Sequence, residues 1–295
     1  MAASFDAQDG IARAWRDCAA ERERAERSAR IAAEYEAAAQ LPPESMRPFR
    51  RRIAKLHRTM EARHAACARL HRLYALRLQR WHGAGGHALR PVFMTVVAEM
   101  LRMDGAGLTL FGNDQEELLI AASDGRSHEA LELELTLDEG PAREAARGCA
   151  VRADGVEIAD RWPRYGPAAA QLGIDGIVAV PLSAGTNRLG ALCGFGADLR
   201  ERPGQVAEAR RIAEILTTSI LLTVDESRTG GALHGPVFDD ADYLDTVHQA
   251  VGMVAVQCRC DTETARVLLR ARAFADGVRM RELASRVVRH QSRLD

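Results

Sequence analysis

Two adjacent prolines, Pro42 and Pro43, stand between two long stretches that hold every other requirement of a helix. From residue 10 to 40 the chain is Ala, Glu and Arg almost throughout, and after Gly10 it has no glycine or proline. A proline cannot donate to a helical ladder, and the residue before it is pushed out of the α region, so one helix must end here. A second run starts near Glu44 and continues towards His82. Within it Phe49, Ile53, Leu56, Met60, Arg63, Cys67, Leu70, Tyr74, Arg77 and Trp81 follow four-three spacing, a heptad seam with two arginine interruptions. The pattern predicts a helical hairpin or coiled coil over residues 1–82, formed either within one chain or between two. His57, His64 and His71 recur every seven residues beside the seam. Residues that far apart on a helix are about 10 Å apart along its axis, too far to share a metal ion, so solvated flanking positions are expected.

Charge divides the remainder. Residues 1–90 hold 18 Arg+Lys against 10 Asp+Glu, residues 91–238 hold 13 against 22, and residues 239–295 hold 9 against 9. A net charge of -1 points to no nucleic acid or membrane surface, but a basic front, an acidic middle and a mixed tail point to separate segments. Lys55 is the only lysine. That excludes a Gly-x-x-x-x-Gly-Lys phosphate loop and any lysine-centred chemistry after residue 55. No HExxH or GxSxG motif occurs, so an enzyme is not expected. Six scattered cysteines without metal or framework spacing predict a reducing, cytoplasmic setting, with Cys258 and Cys260 structural. Acidic Asp6 and Asp9 and the lack of an early apolar run predict no signal peptide, and the longest apolar run, 212–224, is too short for a bilayer.

Gly83 to Gly86 breaks the helical pattern, and the period then changes. Residues 87–103 read as an amphipathic helix. Residues 107–111 and 118–122 read as strands of a hairpin turning at Gly112-Asn113-Asp114, and 131–135, alternating leucine with glutamate, as a half-exposed strand. Residues 139–147 read as a short helix with proline in its first turn, 156–158 as a strand, 177–182 and 188–195 as two strong strands, and 206–224 as a closing helix. The fold class is α+β. The series Gly140-Pro141 with Glu144-Ala145, then 160–164 (DRWPR), 178–182 (VAVPL) and 189–192 (LGAL) resembles a GAF domain across about 87–224. The resemblance implies a six-stranded antiparallel sheet with a pocket on one face. The residues leave a small-molecule effector and an unliganded pocket both open. No cofactor is required, the Asn-Lys-Phe-Asp-Glu signature is missing, and Cys149 and Cys193 are expected in the core.

Residues 225–238, with Gly230-Gly231 and Gly235-Pro236, read as a linker. The tail reads as three helices. Leu244, Val247, Val251, Val254 and Cys258 keep three-four spacing suited to a partner helix, and Gly252 among them suggests a close contact. Asp261 or Thr262 is placed to cap the second helix and Gly277 to end it. Leu283, Ala284, Val287 and Val288 form the buried stripe of the third, opposite Arg281, Ser285 and Arg289. The spaced series Ala250-x-Gly252-Met253, Ala265-x-x-x-Leu269-Arg270-x-x-Ala273 and Leu283-Ala284-x-x-Val287-Val288 resembles an ANTAR domain over roughly 239–290. The resemblance implies an RNA-binding antitermination regulator that grips hairpins in nascent transcripts, commonly as a homodimer. Arg270 sits in the family's motif. Arg266, Arg279 and Arg281 are assigned to RNA by charge, since guanidinium groups offer forked donors to phosphate. The competing expectation is a dimeric protein–protein adaptor whose arginines are merely solvated.

Overall fold

A computed structural model describes residues 2–85, 90–112, 116–196, 199, 204–227 and 235–294. Two long helices, α1 (Ala2–Ala38) and α2 (Arg47–Gly83), are followed by α3 (Phe93–Leu101), β1 (Gly105–Phe111), β2 (Glu117–Ala122), α4 (Gly125–Leu137) and α5 (Pro141–Ala146). Next come β3 (Val151–Asp154), α6 (Val156–Arg161), α7 (Tyr165–Gln171), β4 (Gly176–Ala184), β5 (Asn187–Gly196) and α8 (Gln205–Ser227). The chain closes with α9 (Pro236–Asp239), β6 (Asp242–Tyr243), α10 (Asp245–Cys258), α11 (Thr262–Ala275) and α12 (Met280–Val288). It forms two compact units, one from residues 1–96 with 214–236, the other from 97–213 with 237–295. The expected turn at Asn113-Asp114, the start of a helix at His87 and residues 228–234 of the 225–238 linker lie outside the described residues, whereas 225–227 end α8 and 236–238 lie in α9.

In the first unit α1 and α2 fold back on each other within one chain. Arg50 donates to the carbonyls of Ala38 and Leu41, both at 2.7 Å, and Arg47 to Ala39 at 3.3 Å, which satisfies acceptors left open where α1 ends. The seam on α1 is Ala14, Cys18, Glu21, Ala25, Ser28 and Ala32, continued by Ala39 just past its end, all buried. On α2 the buried four-three positions are Ala54, His64, Ala68, His71, Ala75 and Leu78. The α1 stripe is dominated by small residues and the α2 stripe alternates alanines with His64, His71 and Leu78, which lets two backbones approach closely at the alanines. This is a different phase from the heptad read from the sequence. Of that series Cys67, Leu70 and Tyr74 are buried, whereas Phe49 and Leu56 are exposed. Tyr74 instead meets Phe93 edge-on with centroids 5.4 Å apart, and the Cys67 thiol reaches the Ile215 carbonyl at 3.5 Å.

His64 and His71 are therefore not solvated flanks, while His57 is half-buried. Apolar seams tolerate polar groups that find partners, and His64 Nδ1 lies 2.7 Å from Glu21 Oε2, whose other oxygen accepts from Arg24 at 2.6 Å. His71 has no such bond: its Nδ1 stands 4.0 Å from Asp17, and burial drives its pKa down to about 4.

The second unit holds an α+β arrangement around one six-stranded antiparallel sheet, in the order β3-β4-β5-β1-β2-β6. Strand number and sense agree with what the GAF resemblance implied, but only five of the strands come from 87–224: the sixth, β6, is supplied by residues 242–243 of the tail. All seven residues of β1 are buried, so both faces of the sheet are covered. On one face a Cβ at Gly107 would come within 2.5 Å of Leu131, and on the other a Cβ at Gly194 would come within 2.9 Å of Met103.

Two assignments change. Residues 131–135 lie in α4, not in a strand: Asp124 caps that helix by accepting from the Ser127 N–H at 2.9 Å. Leu131, Glu132, Glu134 and Leu135 are all buried, because α4 is covered on more than one side, so alternation carried no face information. Residues 156–158 begin α6, and the edge strand is β3, paired with β4 from Val151↔Ala179 to Asp154↔Gly176.

The motif residues of the middle segment hold one another. Glu134, fully buried, accepts the N–H groups of Ala142 and Arg143, each at 3.0 Å, at the start of α5. Gly140 has φ 151° and passes so close that a Cβ would lie 2.4 Å from Glu134. Arg161 pairs with Glu144, which also accepts from Trp162 Nε1 at 3.1 Å, and Glu139 accepts from the Tyr165 N–H at 2.8 Å. Tyr165 and Trp162, in edge-to-face contact at 6.0 Å, fill the space beside this cluster. Cys193 is buried as expected, but Cys149 is exposed. Among the described residues no helix is long and apolar enough to cross a membrane, and no group of three His, Cys, Asp or Glu is placed to hold a metal ion.

His71 yields a signed pH prediction. Its folded pKa of about 4 lies below the ordinary histidine value, so it contributes stability above about pH 6.5 that is lost as pH falls towards 4. The loss is about 3 kcal/mol at most. In thermal unfolding followed by circular dichroism, wild type should lose midpoint relative to His71→Leu across that window; parallel curves would contradict the assignment.

Candidate nucleic-acid interface

Local chemistry accounts for the three tail helices. Asp261 caps α11 by accepting the Thr264 N–H at 2.7 Å, Arg259 ends α10 in the left-handed region at φ 54°, and Gly277, at φ 64°, follows α11. The bundle closes over Val247, Ala250, Val251, Val254, Ala265, Leu269, Ala273, Met280, Leu283, Ala284 and Val287, each almost wholly buried. Six of the seven signature residues, Ala250, Ala265, Leu269, Ala273, Leu283 and Ala284, are thus packing residues. Their alanines leave room for helices to cross closely.

Two expectations fail here. The stripe Leu244, Val247, Val251 and Val254 is buried within the chain rather than left for a partner helix. Gly252, the seventh signature residue, is exposed, and nothing lies within 4 Å of where its Cβ would be. No contact among the described residues calls for a glycine there.

None of the four assigned arginines is merely solvated. Each meets a carboxylate, most of them from the sheet domain of the same unit. Arg266 donates to Glu116 at 2.7 Å and its side chain is 18% exposed. Arg270, 12% exposed, donates to the Leu135 carbonyl at 3.1 Å and pairs with Asp138 at 2.9 Å. Burial lowers the pKa of Arg270 from the usual arginine value, with Asp138 opposing that shift. Arg279, 55% exposed, reaches Glu129 at 2.6 Å and Glu132 at 3.3 Å, and its bond to Glu129 raises its pKa. Arg281, 33% exposed, grips Asp242 of β6 with both terminal nitrogens, one at 2.7 Å, and lies 3.4 Å from Glu132.

The carboxylates are themselves tied together. Asp138 also pairs with Arg143 at 2.8 Å, and Arg143 with Glu117 at 2.8 Å. His128 Nε2 lies 3.0 Å from Asp242, and burial holds the pKa of His128 below its ordinary value. Neutral contacts run along the same seam. The Met280 N–H meets Thr136 Oγ1 at 3.3 Å, His248 Nε2 meets the Glu117 carbonyl at 2.9 Å, and the Leu244 N–H donates to the Leu118 carbonyl at 3.0 Å. A cleft of about 350 Å³ opens between α4 and the turn from α11 to α12, beside Arg279.

The structure brings Arg279 and Arg281 together on Glu132 and sets Arg266 and Arg270 deeper, on α11. Arg259 and Arg289 are exposed on the tail. Arg259 was not singled out from the sequence, and its place just before the Asp261 cap was the available signal.

Substitutions separate packing from surface roles. Leu269→Ala should cost about 2–5 kcal/mol, as for a buried leucine, whereas Gly252→Ala should stabilise by up to about 1 kcal/mol. Chemical denaturation of the full chain measures both, and a destabilised Gly252→Ala would overturn the exposed placement of residue 252.

Residues 241–288 match the ANTAR domain family. No relative among curated proteins matches the chain. Solved structures that align with the chain include a domain of a putative two-component sensor histidine kinase protein from Sinorhizobium meliloti, at 16% identity and TM-score 0.37, covering 46% of this chain and 92% of that one. GAF3 from Slr1393 of Synechocystis aligns at 16% identity and TM-score 0.36, over 46% and 94%. Escherichia coli SdiA aligns at 11% identity and TM-score 0.34, over 65% and 86%. These three likenesses are loose ones of shape. The span of the family match coincides with β6 and α10 to α12, so residues 241–288 of this chain carry an ANTAR domain.

Proposed function

We propose that the chain is an RNA-binding transcription antitermination regulator. Residues 1–82 serve as a helical hairpin, 87–224 as a GAF-like sensor, 225–238 as a linker, and 239–290 as the output module that binds hairpins in nascent transcripts. The observation that carries this reading is the ANTAR match over 241–288, a span of three helices in which α11 bears Arg266 and Arg270, α12 bears Arg281 and Arg279 stands at the N-cap of α12. Arginine forks suit the paired oxygens of phosphate. The protein works in the cytoplasm as a homodimer, whose two output modules turn weak single-hairpin binding into avidity. The small-molecule effector, where one exists, acts on the sensor segment.

The intramolecular pairing of those arginines favours a second reading, a dimeric protein–protein adaptor whose tail only completes the fold. Salt dependence separates the two. Four arginines on phosphates give a slope of about -3 to -4 in log affinity against log salt, roughly a hundredfold loss for a fourfold rise in salt. Filter retention of an RNA with two adjacent stem-loops should follow that slope in wild type and vanish when all four arginines are changed to glutamine. Self-association by sedimentation should survive the change. Absence of retention at low salt would remove the RNA reading and leave the adaptor.

A further inference from the structure

We infer that the sheet domain holds the tail shut by placing carboxylates where RNA phosphates would sit. Glu116, Glu129, Glu132 and Asp138 of the sheet domain take up the guanidinium groups that RNA would need, so RNA and the sheet domain compete for one face of the tail. The inference rests on the RNA reading above and concerns its regulation.

Three observations carry it. First, the match is donor by donor. Arg279 bridges Glu129 and Glu132, Arg281 reaches the other oxygen of Glu132 at 3.4 Å, Arg270 pairs with Asp138 and Arg266 with Glu116, each a carboxylate where a phosphate oxygen would sit. Second, the seam is graded in depth. Arg279 and Arg281 are 55% and 33% exposed, while Arg266 and Arg270 are 18% and 12% exposed and lie against β2 and the end of α4. A polyanion can meet the outer pair as the fold stands, but reaches the inner pair only after α11 leaves α4. Third, the seam has a hinge. β6 adds two residues to the edge of β2, through Leu119↔Tyr243 and Ile120↔Asp242, and a two-residue pairing is the smallest piece of sheet that can be surrendered. Exposed ion pairs contribute little, whereas breaking a buried one strands a charge, so the outer pairs steer and the inner pairs latch. The acidic excess of residues 91–238 supplies the face that makes the latch.

The test leaves the arginines and the whole of 239–290 untouched. Glu116→Gln, Glu129→Gln, Glu132→Gln and Asp138→Asn are combined in the full chain, with Glu116→Gln alone as a milder variant should the fourfold change unfold the protein. Two readouts are taken. Modification of arginines by phenylglyoxal, read by mass spectrometry, reports the seam without RNA, with exposed Arg259 and Arg289 as internal references. Retention of an RNA of two adjacent stem-loops with randomised loops reports binding. The expected result is faster modification of Arg266 and Arg270, approaching the reference rate, together with RNA binding tighter by about tenfold or more as the competent fraction rises; for Glu116→Gln alone the shift is smaller and centred on Arg266. Faster modification with RNA affinity equal to that of a binding wild type overturns the latch and leaves the RNA reading standing. Unchanged modification also overturns the latch, since the carboxylates then do not hold the seam. Faster modification with no retention of RNA by either protein overturns the RNA reading, and the latch with it.

Discussion

Four guanidinium groups of the C-terminal bundle end on carboxylates, and that pairing decides how the second unit works as one body. A carboxylate at 2.6–2.9 Å from a guanidinium nitrogen satisfies the charge but leaves little for a ligand. The apolar signature of the bundle makes a stable module, and the polar side of that module is spent on the sheet domain. Arg270 is the extreme case: its side chain is 12% exposed, bonded to the Leu135 carbonyl and paired with Asp138, which Arg143 holds in turn. Under the proposed RNA reading, stability of these pairs and access of a ligand to the arginines are therefore opposed.

The first unit solves a different problem with small residues. Alanines on α1 and α2 bring two 37-residue helices together closely enough that their few buried polar groups must be partnered. Glu21 serves His64 and Arg24 at once, while His71 remains neutral in a buried setting. A seam of this kind has little apolar area to stabilise it per residue, so its polar contacts matter more to its register than they would in a leucine-rich pair.

Much of this could be read beforehand, for reasons that vary by element. Helix termini at Pro42-Pro43, the β4–β5 hairpin and the Asp261 cap are set by local chemistry, and local chemistry is visible in sequence. The bundle core was legible because Ala250, Ala265, Leu269, Ala273, Leu283 and Ala284 form a spaced series. The phase of the α1–α2 seam was not, because α2 is buried on more than one face and its larger apolar residues, Cys67, Leu70 and Tyr74, mark the wrong one for α1. The alternation of leucine and glutamate at 131–135 misled for the same reason, with the Asp124 cap as the better clue. Least legible were the partners of the arginines. Arg266, Arg270, Arg279 and Arg281 are recognisable as cations, but Glu116 lies 150 residues from Arg266 in the chain, and only the fold brings them to one ion pair.

The central claim is that RNA and the sheet domain exclude each other on the tail. Hydrogen exchange of the full chain, with and without a bound two-hairpin RNA, tests it at the β2–β6 pairing, where the Leu244 N–H donates to the Leu118 carbonyl at 3.0 Å. The account predicts faster exchange over residues 242–244 and 117–120 once RNA is bound, although the complex is larger. Slower or unchanged exchange there, with RNA bound, would contradict it.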